Sequence, residues 1–208
     1  MASVASSTVA APRAKQRWLK PGVALGAAVP LVVLAVRAAQ HTLGADPIAI
    51  ALNQLGLLAL IFLLASLAAT PLKILFGFSW PLRIRRLLGL LAFFYALLHF
   101  VLYACIDQGL SLNAILADIT KRKFITAGFA AFVLLVPLAA TSTSGMLKRM
   151  GAVRWKRLHR LAYVAGALAA IHFVWRVKRD LSQPLAYAIV LAALLAVRLF
   201  ERKRGARR

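Results

Sequence analysis

At 208 residues with 62% apolar side chains and a mean hydropathy of +0.80, the chain is too oily for a water-soluble domain, which is roughly half apolar. Its 27 Lys and Arg against five acids give a formal charge of +22, but the cations fall in short clusters between apolar runs, which excludes the continuous basic face of a nucleic-acid binder. One cysteine, Cys105, excludes an internal disulfide and a covalent C-x-x-C-H haem attachment, and is assigned to packing.

Along the chain, residues 1–17 read as a disordered basic N-terminus, 18–201 as one membrane domain and 202–208 as a basic C-terminal tail. Runs of about 20 apolar residues can cross a hydrocarbon core of about 30 Å. Six occur, near 21–39, 50–70, 84–105, 124–141, 157–176 and 184–200. The first imitates a secretory signal. Arg37 stands three positions back from the plausible exit at Ala39, where a small residue is needed, so an uncleaved anchor is expected. The fold class is therefore an all-α, polytopic, six-span bundle in a lipid bilayer. No connecting stretch exceeds about 20 residues, too short for a nucleotide-binding domain of at least about 50. Any soluble substrate must then be bound by another chain.

With the N-terminus inside, the inner segments carry 20 of the 27 cations. They include Arg83, Arg85 and Arg86 before the third span, and Arg154, Lys156 and Arg157 at the fifth. Only Arg37, Lys121, Arg122, Lys123, Arg176, Lys178 and Arg179 lie outside. That bias predicts both termini cytoplasmic.

Three of the four histidines, His99, His159 and His172, fall within or at the ends of spans. An ionisable ring in hydrocarbon marks a pathway for protons, ions or electrons. Trp155 and Trp175, 20 residues or about 30 Å apart on a continuous helix, are expected at the two interfaces of the fifth span. His172 then lies about 4.5 Å inside the outer Trp, and His159 about 6 Å inside the inner one. In the third span His99 is 13 residues beyond Arg86, about 20 Å toward the outside, which matches the depth of His172. Two imidazoles at one depth are placed to ligate one iron, such as that of a buried haem, from opposite sides. The bland alternative is a pair of hydrogen-bonded core histidines in a transporter.

His159 has no histidine partner below His99, where Arg85 and Arg86 stand. On an ideal helix it lies about 140° round from His172. It is a candidate for a second haem, a quinone or a flavin site, with Arg85 and Arg86 as binders of propionate or phosphate. Positive-inside bias with snorkelling side chains explains those arginines equally well. The run Thr141-Ser142-Thr143-Ser144 reads as a helix end and N-cap, with Pro137 kinking the fourth span and its freed carbonyls partly met by these hydroxyls.

The pieces Gly44-Ala45-Asp46-Pro47, Thr70-Pro71-Leu72, Arg85-Arg86-Leu87-Leu88-Gly89-Leu90, Leu98-His99, Thr141-Ser142-Thr143, Arg154-Trp155 with Leu158-His159, and Ile171-His172-Phe173 with Trp175 occur in this order over about residues 18–200. Together they resemble the MsrQ family, formerly YedZ, of haem-binding membrane subunits, within the wider ferric-reductase-like transmembrane proteins. The resemblance implies a six-span inner-membrane cytochrome with haem b on His99 and His172, flavin mononucleotide also being reported for the family. It further implies electrons drawn from quinol or a cytoplasmic flavin reductase. They would pass to a periplasmic molybdopterin methionine-sulfoxide reductase, the catalytic partner in a heterodimer, which repairs oxidised envelope proteins. The sulfoxide chemistry belongs to that partner. One departure stands out: where family members often carry His-x-Thr-Gly, this chain has Asn53-Gln54-Leu55-Gly56. Asn53 is a poor iron ligand, which favours one haem site over two, while His41 in the first outer loop remains available. A ferric or cupric metalloreductase shares the same spans and haem.

Overall fold

The computed structural model describes residues 18–206, so the expected N-terminal segment 1–17 lies outside the described residues, as do 207 and 208. Among the described residues there are helices and no strands. Their order is α1 (Leu19–Ala39), α2 (Pro47–Phe76), α3 (Pro81–Leu102), α4 (Leu112–Lys121), α5 (Lys123–Ala140), α6 (Ser144–Met150), α7 (Ala152–Leu158), α8 (Leu161–Arg176) and α9 (Ser182–Ala206). Six segments are long and apolar enough to cross a membrane: α1, α2, α3 with its continuation to Asp107, α5, α7 with α8, and α9. The 30 residues of α2 rise about 45 Å, more than a hydrocarbon core is thick, so α2 tilts or projects beyond it.

Local chemistry sets the ends. Asp46 caps α2 by accepting from the Ala49 N–H at 2.9 Å, Pro47 occupies the first helical position, and Gly77 closes the helix at φ 72°. α3 runs into a wider π-helical turn over Tyr103–Asp107. α4, capped by Ser111, was not expected from hydropathy, because ten amphipathic residues are too few to span. Arg122 alone, in extended conformation, joins α4 to α5. At the far end of α5 the Thr141 and Ser142 hydroxyls donate to the carbonyls of Pro137 and Leu138, at 2.6 and 2.7 Å. These are the helix's own last carbonyls. The one freed by the missing Pro137 N–H belongs to Val133, so the hydroxyls finish a helix and do not repair the proline. Thr143 caps α6, as its place in the hydroxyl run suggests.

The fifth span is not one straight helix. It breaks at His159 and Arg160, between α7 and α8, so the 140° phase between His159 and His172 does not apply.

α2 packs principally on α3 and α5 on α8, with α9 against α2 and α8 and with α1 at the edge. Leu63, Ala92, Leu135, Leu138 and Ala165 form the central layer, in which Ala92 and Ala165 are fully buried and let the helices approach closely. A second layer joins Leu60, Leu64 and Leu67 to Ala170 and Leu191. Pro71 removes an N–H that would have bonded the Leu67 carbonyl, and Arg198 from α9 supplies the replacement, donating to that carbonyl at 2.6 Å and to the Tyr163 hydroxyl. On α1 the side chains of Leu25, Val29, Val32 and Val33 are exposed, as a lipid-facing surface requires.

Candidate functional site

Two cavities, each of about 300 Å³, lie one above the other between the helices. The first is enclosed by α2, α3, α5 and α8, and holds both His99 and His172. Their ring centroids are 6.2 Å apart, with planes at 80°. The equal depth read from the sequence therefore becomes contact distance in space.

Each ring is fixed in the same way. His99 Nδ1 lies 2.9 Å from the Leu52 carbonyl on α2, and His172 Nδ1 lies 2.6 Å from the Phe124 carbonyl on α5. A carbonyl only accepts, so each Nδ1 carries the proton and each Nε2 keeps a free lone pair. Directly against the rings stand two glycines. A Cβ on Gly56 would come within 3.2 Å of His99 Nδ1, and one on Gly128 within 2.6 Å of His172 Nδ1.

The walls are apolar, with Phe100 stacked on Phe132 at 4.9 Å and Leu60 and Phe173 alongside. Polar groups gather at one mouth: Tyr103, Asp107, Arg122 and Arg176. Tyr103 donates to Asp118 at 3.2 Å, and Asp118 pairs with Arg122 at 3.2 Å. Arg176, one turn beyond His172, is half-buried against the cavity. In the sequence both arginines stand only as outer charges. Asn53 lines this cavity too, whereas His41 is exposed on its loop.

Two metal–imidazole bonds of about 2 Å each, with the rings' own radii, span about 6 Å between centroids, which agrees with the pair. Among the described residues no three His, Cys, Asp or Glu side chains gather to hold a bare ion. An ion here needs one that brings its other ligands with it, as a porphyrin iron does. The apolar walls suit the macrocycle, and the arginines at the mouth suit its carboxylates. The residues present fit a haem.

The second cavity joins residues that the sequence suggested could act together. His159, Arg85 and Arg86 all line it, with Ser66, Ser142 and Trp155. His159 sits at the α7–α8 break, stacked on Trp155 with centroids 3.7 Å apart. Its Nδ1 donates to the Trp155 carbonyl at 3.1 Å, and its Nε2 lies 3.4 Å from the Ser142 hydroxyl, whose proton already goes to Leu138. Nε2 is thus held loosely. Trp155 is turned inward, donating from Nε1 to the Thr141 carbonyl at 2.9 Å, and does more than mark an interface. Among the described residues, only Leu63 and Leu135 line both cavities.

Residues 51–170 match the model of the ferric reductase like transmembrane component family. The chain is 52% identical over 182 residues to a protein of Deinococcus radiodurans, covering 88% of this chain and 90% of that one. It is 53% identical over 171 residues to one of Rhodospirillum rubrum, 82% of each, and 46% identical over 193 residues to one of Ralstonia nicotianae, 92% of this chain and 89% of that one. All three bear the name protein-methionine-sulfoxide reductase heme-binding subunit MsrQ.

Proposed function

Because the chain belongs to the ferric-reductase-like transmembrane family, and within it to the MsrQ haem-binding subunits, we propose that it is a haem b electron-transfer subunit with His99 and His172 as axial ligands. The observation that carries this reading is the pair of imidazoles 6.2 Å apart, each with Nδ1 bonded to a helix carbonyl and Nε2 free. Bound iron would supply one-electron redox chemistry; the protein sets its potential through ligand identity, hydrogen bonding and burial. The carbonyl bonds orient the rings and raise their basicity as ligands. The apolar walls exclude water, and Arg122 and Arg176 balance negative charge at the mouth.

Both termini are proposed to face the cytoplasm of a bacterial inner membrane, on the strength of the cation bias. The His99–His172 cavity then opens toward the outer face. From there electrons pass to a periplasmic molybdopterin methionine-sulfoxide reductase, the chain itself doing no sulfoxide chemistry. The names of the relatives support a methionine-sulfoxide reductase as the destination.

The inner cavity is proposed as the entry point. Oxidising a quinol releases two electrons and two protons, and His159, with Nε2 loosely held, is the base placed to take a proton. Arg85 and Arg86 would equally hold a flavin phosphate or the propionates of a second haem there.

An absorption spectrum of purified protein before and after dithionite tests the main reading. A sharp b-type band is expected in wild type and absent in His99→Ala and His172→Ala. A wild type without the band, from haem-replete cells, rejects it. Faster reoxidation by ferric or cupric chelates than by the sulfoxide reductase would favour a metalloreductase.

A further inference from the structure

The two histidines of the outer cavity come from different helices and reach different neighbours, yet the surroundings repeat. His99 donates to the carbonyl of Leu52, and the residue four positions later on α2 is Gly56. His172 donates to the carbonyl of Phe124, and the residue four positions later on α5 is Gly128. In an α-helix the N–H of residue i+4 bonds the carbonyl of residue i, and the Cβ of that later residue leans back toward the N-terminus, over the turn that holds this carbonyl. A side chain there shields the oxygen. With hydrogen in its place, the carbonyl keeps its helical bond and offers its second lone pair sideways to an imidazole.

The added-atom distances show how closely the space is used. A Cβ at position 128 would stand 2.6, 2.9 and 3.0 Å from Nδ1, Cε1 and Cγ of His172, which is the flank of the ring itself. At position 56 it would stand 3.2 Å from both Nδ1 and Cε1 of His99. Gly89, on α3 beside the other cavity, meets only the Ser66 hydroxyl at 3.5 Å and serves as an internal control.

We propose that Gly56 and Gly128 are positioning residues for the two imidazoles, each holding open a helix carbonyl so that the neighbouring ring is locked with Nε2 toward the cavity. The inference rests on the axial role given to His99 and His172 above. It adds that the aim of each ligand is set by a glycine on the facing helix, and it grades them: position 128 tolerates no Cβ, whereas position 56 yields if the ring gives a few tenths of an ångström.

The experiment uses the full-length protein in detergent or nanodiscs, with the ferric spectrum, the midpoint potential and a thermal melt read together. Gly128→Ala is expected to lose the low-spin bis-imidazole signature. Gly56→Ala is expected to keep it with the midpoint shifted to higher potential, because a weakened Nδ1–H bond makes His99 a less basic ligand. Gly89→Ala is expected to change neither. To separate a loss of packing from a clash with the ring, the same Gly128→Ala substitution is also made on His172→Ala, where no ring is left to strike. There it is expected to leave the melting temperature unchanged. Equal destabilisation in both backgrounds overturns the proposal, as does a wild-type spectrum and potential in Gly128→Ala. If His99→Ala and His172→Ala themselves keep the low-spin signature, it is the axial assignment that has failed.

Discussion

The two cavities have similar volumes and opposite construction. In the outer one both histidines stand on spanning helices near one end and are tied to the backbone of a second helix, His99 to α2 and His172 to α5. In the inner one His159 occupies a break between helices, bonded to a carbonyl one turn back and stacked on a tryptophan from the same short helix. Cross-helix ties fix a ring against the whole bundle; a local tie lets it move with its own turn. A site that must keep a metal-bound group needs the first arrangement. One that admits and releases a reactant, or passes a proton, is served by the second.

The largest expected effect separates the two at once: His99→Ala or His172→Ala should empty the outer site of haem, measured as haem per protein, while His159→Ala leaves a full spectrum of the outer haem. Next comes His159→Ala itself, expected to slow quinol-driven reduction by about 100-fold, the usual lower range for loss of a general base, with dithionite reduction unchanged. If quinol reduction keeps its wild-type rate, the division of labour between the cavities is wrong. Smaller still, Arg176→Gln removes a cation near the outer rings. At an effective dielectric of about 20 and a separation of roughly 10 Å this is worth roughly 1.7 kcal/mol, a downward shift of about 70 mV in a one-electron midpoint, readable by potentiometric titration. Least of all, Trp155→Phe removes the indole bond to the Thr141 carbonyl, about 0.6 kcal/mol for a hydrogen bond within a membrane protein. A slightly lower melting temperature with an unaltered haem spectrum would place its effect in the inner half alone.

What could be read from the sequence followed from quantities that run along one axis. Hydropathy located six spans, and rise per residue put His99 and His172 at one depth, because both depend only on position along a helix. Properties set by neighbours in three dimensions were not legible. Gly56 and Gly128 looked like ordinary membrane-helix glycines until the facing rings were in place, and Arg122 and Arg176 looked like outer charges until the π-helical turn and α4 brought a mouth to them. A glycine four residues after a position facing a histidine-bearing span is a pattern that a search could use. His159 differs in the opposite sense: a 140° phase holds only on a straight fifth span, and the chain breaks at that very residue. Its apparent isolation also vanished, since Arg85 and Arg86, noted as standing where a partner should be, line its own cavity.

Leu63 and Leu135, which alone among the described residues line both cavities, form an apolar septum backed by the fully buried Ala92 and Ala165. With no polar atom on those side chains, the septum offers a water chain nothing to bond. An electron can tunnel through saturated carbon, whereas a proton needs a relay of donors and acceptors. On the proposed reading the bundle would conduct one carrier and insulate against the other, so that reducing equivalents would cross without short-circuiting the proton gradient over the same membrane.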